Sequence, residues 1–172
     1  MGILDILKQY ADPASAPSGN VAGHFDQVAQ QSSVQDLGNS VAAAFRSDAT
    51  PPFGQMIGDL FGKSDPNQRA GILNQIVQSV GAGGLASVAG GALGRVLGPA
   101  AATGATPQIT PEQAAQISPA DAGALATHAE KQNGSIIDMA ASFYAQHPTL
   151  VKSLGASALA IALGHLHSSN RS

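Results

Sequence analysis

The sequence predicts an all-α protein, a multi-helix bundle of about seven to nine short helices, and three observations carry that expectation. Apolar residues recur at i, i+3, i+4 and i+7 in segment after segment. Helix starts are written in side chains: Ser33, Asp65, Thr110 and Ser118 each stand where a capping oxygen belongs, and the last three precede proline. No stretch alternates apolar and polar residues with period two for long enough to read as a strand.

The first helix is short and amphipathic, with Ile3, Leu4, Ile6, Leu7 and Tyr10, and ends at Asp12-Pro13. Residues 13 to 20, PASAPSGN, have the composition of a linker, so segment 1–20 reads as an arm and its tether. Val21, Phe25 and Val28 begin the next helix. Ser33, with Asp36 three residues on, caps another that carries Val34, Leu37, Val41 and Phe45 along one face. SDATPP, residues 47 to 52, forces a break. Phe53, Met56, Ile57, Leu60 and Phe61 then make a further short helix. Asp65-Pro66 opens one whose buried face is Ile72, Leu73, Ile76, Val77 and Val80.

The helical region 21–98 closes with VGAGGLASVAGGALGRVLG, whose single charge is Arg95. Gly81-Ala-Gly83-Gly84-Leu-Ala86 formally satisfies G-x-G-x-x-A, but a dinucleotide loop needs a preceding strand and an acid ~20 residues later. Ile72 to Val80 scans as helix, and no acid lies between Asp65 and Glu112. As a helix, the stretch sets Ala86, Gly90, Gly94 and Gly98 four apart. Small residues at that spacing form a groove that lets a second backbone come close. Each helical glycine costs ~1 kcal/mol relative to alanine, so the pattern makes sense only where close packing compensates.

An uncharged linker, 99–108, leads to the C-terminal helical region, 109–172, and the whole reads as one folded domain. Thr110-Pro111 and Ser118-Pro119 start two helices, the second running to about Lys131. Another follows Ser135 and carries Ile136, Ile137, Met139, Ala140, Phe143 and Tyr144. His147-Pro148 ends it and begins a last helix from Thr149 to about His167, on which Ala156, Ala160 and Gly164 repeat the spacing of four.

Composition narrows the function classes. Charged residues are 11% and the net charge is −3, with no cluster of Lys or Arg to neutralise phosphates, so nucleic acid is not an expected partner. The chain has no cysteine, which removes disulfides and thiolate chemistry. His165 and His167 are spaced so that a helix points them apart, which leaves no expected metal site. No nucleophile elbow, P-loop or H-E-x-x-H occurs, and no catalytic residue, cofactor or small-molecule ligand is expected. Aromatics are only 4%, and alanine-rich packing buries little area per side chain.

MGILDILKQY and the later ITPEQAAQISPADAGALATHAEKQ resemble the YidB-like family of small helical bacterial proteins. Those proteins open with Met-Gly, two apolar residues and Asp, and carry a Ser/Thr-Pro-Glu-Gln helix start in their second half. The resemblance covers about a third of the chain and implies an all-α bacterial domain. It brings no catalytic residue with it. The chain departs from the family in its Ala/Gly-rich helix and in the closing SIIDMAASFYAQHPTLVKSLGASALAIALGHL.

These observations lead to the expectation of a non-enzymatic, self-associating helical protein, a homo-oligomer or polymer. The expected close-packed interface is Gly90, Gly94, Ala156, Ala160 and Gly164, with Ile3, Leu4 and Leu7 as a docking arm. The alternative is a membrane-associated protein that inserts its Gly/Ala-rich and C-terminal helices. A spanning helix needs ~20 predominantly apolar residues, and here glycine and alanine dominate. The N-terminus, interrupted by Asp5 and Lys8, does not read as a signal peptide, so the expected compartment is the bacterial cytoplasm, with unorthodox export left open.

Overall fold

Hydroxyl and carboxyl caps set the helix starts in a computed structural model of the chain, which describes residues 2–12, 19–88, 94–96 and 108–169, with the backbone alone over 82–88. Ser33 Oγ accepts from the Asp36 N–H at 3.0 Å. Asp65 Oδ1 accepts from the Gln68 N–H at 2.8 Å, and the Gln68 side chain accepts in return from the Asp65 N–H at 3.0 Å. Thr110 and Gln113 form the same reciprocal box at 3.3 and 3.0 Å. At Ser118 the box is one-sided: its hydroxyl accepts from the Asp121 N–H at 3.1 Å and donates to the Asp121 carboxylate at 2.9 Å. The Asp121 carboxylate is engaged by the Ser118 hydroxyl and does not complete the reciprocal box.

Among the described residues no strand occurs, and ten helices are delimited. They are α1 (Ile3–Lys8), α2 (Val21–Ala29), α3 (Val34–Arg46), α4 (Phe53–Lys63), α5 (Pro66–Val88), α6 (Pro111–Ala115), α7 (Pro119–Gln132), α8 (Ile136–Ala145), α9 (Pro148–Lys152) and α10 (Ala156–Ser169). Residues 94–96 form a further helical turn. The count exceeds the expected seven to nine, in part because the expected last helix is two. Gly155 takes φ 98°, a left-handed conformation that ends α9 and lets the chain restart at Ala156.

The chain divides into two compact units, Met1–Pro51 with Ala141–Ser172, and Pro52–Ala140. In the first, α3 and α10 make the principal helix pair, and α1 and α2 also pack on α10. Its core holds Ile6, Leu7, Tyr10, Val21, Phe25, Val28, Leu37, Val41, Phe45, Tyr144, Leu159 and Leu163. Phe45 meets Tyr144 edge to face at 6.5 Å. Lys152 on α9 pairs with Asp26 on α2 at 2.9 Å, a partly exposed bridge of the kind that contributes ~0–1 kcal/mol.

In the second unit α4 lies most extensively against α7, and α5 packs on α6 and α7. Phe53, Met56, Ile57, Leu60 and Phe61 of α4 are buried, as are Ile72, Leu73, Ile76 and Val77 of α5. Arg69 fastens the end of α4: its Nε donates to the carbonyls of Phe61 and Ser64 at 2.9 and 3.0 Å, and its guanidinium lies 5.1 Å from the Phe61 ring centre. The helix α5 continues past Val80 only through a kink, because Gly81 takes φ 73°, ψ 170° inside it. The expected Gly/Ala helix therefore departs from regular geometry at its first glycine, and residues 89–93 and 97–98 of that stretch lie outside the described residues.

Asn74, midway along α5, holds the chain that returns after the 99–108 segment. Its amide oxygen accepts from the Ile109 N–H at 2.7 Å and its amide nitrogen donates to the Ile109 carbonyl at 3.0 Å. The side chain thus pairs with both polar groups of one backbone residue, and Ile109 itself is buried. Asn74→Ala is expected to cost about 1–3 kcal/mol of stability, since it leaves both groups without that partner. Urea unfolding of the full chain measures this, with Gln75→Ala as the control on the same helix.

Candidate functional site

The N-terminal helix shows how this chain brings small residues and backbone together. With six residues, α1 is shorter than a helix that holds by itself in water, so its form depends on where it lies. Ile6, Leu7 and Tyr10 are buried in a seat formed by α10 and α2. Gly164 of α10 lies beneath the end of the arm: a Cβ built there would come within 2.7 Å of the Tyr10 carbonyl oxygen. Only glycine admits the arm this closely.

A polar contact closes the same seat. The Tyr10 hydroxyl and His24 Nδ1 of α2 share a hydrogen bond of 2.8 Å, and the two rings meet edge to face at 5.8 Å. Tyr10 is fully buried, and burial pushes its phenol above the ordinary value of 10.0 because the phenolate loses its water.

Beside the seat runs a cleft of about 230 Å³, lined by Ile3 and Leu7 of α1, Gln31 to Ser33 and Asp36 at the start of α3, and Leu166 and Ser169 of α10. Leu4, next to Ile3, is 56% exposed, and Val34, next to Ser33, is 52% exposed. Spacing alone placed both on buried faces. Leu4 falls outside the Ile3–Ile6–Leu7–Tyr10 stripe that α10 and α2 cover, and Val34 is the first residue of its helix, beyond the reach of the elements that bury Leu37 and Val41.

The second unit carries a close-packed row that the sequence reading overlooked. Gly54, Gly58 and Gly62 of α4 stand four apart and face Thr127, Gly123 and Pro119 of α7, also four apart and running in the opposite direction. A Cβ at Gly54 would overlap the Thr127 hydroxyl, one at Gly58 would sit 2.8 Å from the Pro119 carbonyl oxygen, and one at Gly123 would sit 2.7 Å from the Gly54 carbonyl oxygen. The signal was legible as Gly-x-x-x-Gly-x-x-x-Gly within FGQMIGDLFGK. It was masked by the apolar residues between the glycines, which already accounted for a helix.

Of the residues expected at an interface, Gly164 and Ala160 serve packing within the chain, Ala160 being 8% exposed. Ala156, in the first turn of α10, is exposed. Gly94 is half-buried in the short helical turn, and Gly90 lies outside the described residues. Of the arm, Leu7 is buried, Ile3 half-buried and Leu4 exposed, and within the chain Ile6 and Tyr10 are buried beside Leu7. His165 is exposed while His167 is buried, as their separation around the helix requires. Among the described residues no group of three His, Asp or Glu stands close enough to hold a metal ion, and no helix is long and apolar enough to cross a membrane.

No family model, curated protein or solved structure matches the chain.

Two outcomes are expected from this geometry. Gly58→Ala forces a methyl group against the backbone of α7 and is expected to destabilise by about 1–3 kcal/mol. Gly62→Ala meets only the Pro119 ring, at 3.3 Å, and gains helix propensity, so stability is expected to change by less than about 1 kcal/mol. Thermal unfolding of the two variants side by side makes the comparison.

Tyr10 predicts an alkaline limb. Above pH 10 the unfolded chain gives up the Tyr10 proton while the folded chain keeps it, so the unfolded state binds fewer protons and stability falls as pH rises. The contribution is complete below pH 10 and is lost as the pH passes the raised folded value. Tyr10→Phe is expected to cost about 1 kcal/mol at neutral pH through the lost hydrogen bond, and to fall less steeply than the parent above pH 10. Urea midpoints across that range compare the two slopes.

Proposed function

We propose that the chain is a non-enzymatic helical protein that associates with copies of itself, as an oligomer or polymer. The observation that carries this reading is the pair of large apolar side chains left exposed among the described residues, Leu4 and Val34. Exposed apolar residues scattered singly need no explanation. These two belong to two different helices of one unit, and their sequence neighbours Ile3 and Ser33 line one cleft.

The rest of the composition favours the same reading. With 11% charged residues and a net charge of −3, like copies repel only weakly. Small side chains allow backbones to approach, as α4 and α7 do within the chain. A self-complementary patch repeated on each copy supports a closed dimer, and a patch that meets a different surface supports a chain of copies. The resemblance to YidB-like proteins supplies no residue role, so the proposal stands on the exposed pair and on composition. Of the small-residue face first expected to mediate association, Ala156 is the part of α10 left open, and Gly94 the half-buried part of the Gly/Ala stretch.

Static light scattering across the micromolar range tests the proposal. A mass that rises with concentration, or a fixed multiple of the 17.2 kDa chain, is expected. Leu4→Glu together with Val34→Glu is expected to shift the mass toward the monomer with helix content unchanged by circular dichroism. A stable monomer at every concentration overturns the reading.

A further inference from the structure

We propose that Asn133-Gly134, in the turn between α7 and α8, is a site of covalent self-modification in the folded chain. The Gly134 backbone nitrogen attacks the Asn133 side-chain amide and converts it to aspartate and isoaspartate. The proposal goes beyond self-association and does not rest on it.

The reacting atoms are neighbours along the chain, so no other group has to be brought to them. Residues 131–135 are exposed, which lets hydroxide and water in. The Gly134 N–H donates to no group among the described residues, so no hydrogen bond has to break before it loses its proton. The Asn133 Oδ1 accepts from the Ser135 N–H at 3.1 Å. That bond draws electrons from Cγ and stabilises the negative charge the oxygen gains as the nitrogen adds. A Cβ built at Gly134 meets nothing within 4 Å, and glycine itself leaves the attacking nitrogen uncrowded.

Asn133 is extended, with φ −151° and ψ 104°, so attack requires rotation about its Cα–C bond. Two bonds oppose that rotation. The Ile136 N–H donates to the Asn133 carbonyl at 3.1 Å, and the Ile137 N–H donates to the Gly134 carbonyl at 3.2 Å. Both lie at the start of α8, and helix ends open more readily than helix interiors.

Hydroxide takes the Gly134 amide proton, and the nitrogen forms a bond to Asn133 Cγ, closing a succinimide ring. The Cγ–Nδ2 bond breaks, and Nδ2 leaves as ammonia after taking a proton from water. Water then opens the ring. Addition at Cγ restores the ordinary main chain with an aspartate at position 133. Addition at the backbone carbonyl carbon leaves the main chain running through the side chain, as isoaspartate.

The other described asparagines lack this setting. Asn39 lies within α3 and Asn74 within α5, where the following N–H belongs to the helix ladder. After Asn67 the Gln68 N–H is held by Asp65 Oδ1 at 2.8 Å. Asn20 precedes Val21, whose branched, buried side chain crowds the nitrogen.

The two products differ in consequence. Aspartate keeps an acceptor for the Ser135 N–H and adds a negative charge, to a chain of net charge −3, where the dipole of α8 favours it. Isoaspartate lengthens the main chain by a methylene and turns the carbonyl that serves Ile136 into a side carboxylate, which disturbs the start of α8.

The folded full chain is held in mildly alkaline and in mildly acidic buffer, then digested in acid and mapped by mass spectrometry. The Asn133 peptide is expected to show the mass change of NH replaced by O before any other described asparagine does, and faster in alkaline buffer. It is expected to separate into two forms of equal mass, one of them accepting a methyl group from an isoaspartyl methyltransferase. Gly134→Val is expected to slow conversion roughly tenfold, and Asn133→Gln to abolish it at this position. Incubation in urea gives the rate of the open chain, and the folded chain is expected to convert within about tenfold of it. An Asn133 that stays intact in the folded chain while the urea-unfolded chain converts overturns the proposal. So does earlier conversion at Asn20, Asn39, Asn67 or Asn74, and an unchanged rate in Gly134→Val removes Gly134 as the nucleophile.

Discussion

Close approach of helix backbones at glycine is the constraint on which this fold depends. The chain has few aromatic side chains and many alanines, so interlocking large residues cannot supply all of its cohesion. It compensates by bringing main chains together. In one unit Gly54, Gly58 and Gly123 set α4 against α7 with carbonyls where side chains would otherwise stand; in the other Gly164 lets the Tyr10 carbonyl rest on α10. Dispersion between closely apposed backbones sums over many atom pairs, which is how small residues hold helices that they cannot wedge together. The helix propensity lost at each glycine is recovered only through these contacts, so the pairing of the rows, not the glycines alone, stabilises the helices.

Large residues are then used sparingly, where one side chain does several things. Arg69 closes the carbonyl end of α4 and covers the Phe61 ring. Asn74 satisfies both polar groups of Ile109 across a separation of 35 residues. Tyr10 fills the seat with its ring, reaches His24 with its hydroxyl and meets Gly164 with its carbonyl. Each joins an apolar surface to a hydrogen bond that would be costly to leave unmade in a dry interior. The two units thus use a common economy of means, although they share no element pairing.

The candidate surface follows from the same economy. A six-residue helix bound through Ile6 and Leu7, with Tyr10 just beyond its end, leaves one side of itself open, and Leu4 lies there. Periodicity located the amphipathic arm but assigned Leu4 and Val34 to covered faces, because spacing tells which residues share a face and not how far a neighbour extends across it. It also passed over the row of Gly54, Gly58 and Gly62, since an apolar stripe was sufficient to explain that helix. The glycine pattern drew notice where it was densest, in residues 80 to 98, and not where it meets a facing row.

By itself the sequence determined the helical class, the starts at Ser33, Asp65, Thr110 and Ser118, and most of the buried stripe on each helix. These are local matters: a cap oxygen reaches an N–H three residues away, and apolar spacing of 3.6 is a property of a single helix. Tertiary structure alone decided which small residues face one another, that the first and last helices meet, and that Gly155 divides the final helix. Those outcomes depend on partners far apart in the chain, and nothing in a short window records which distant backbone will lie against a given glycine.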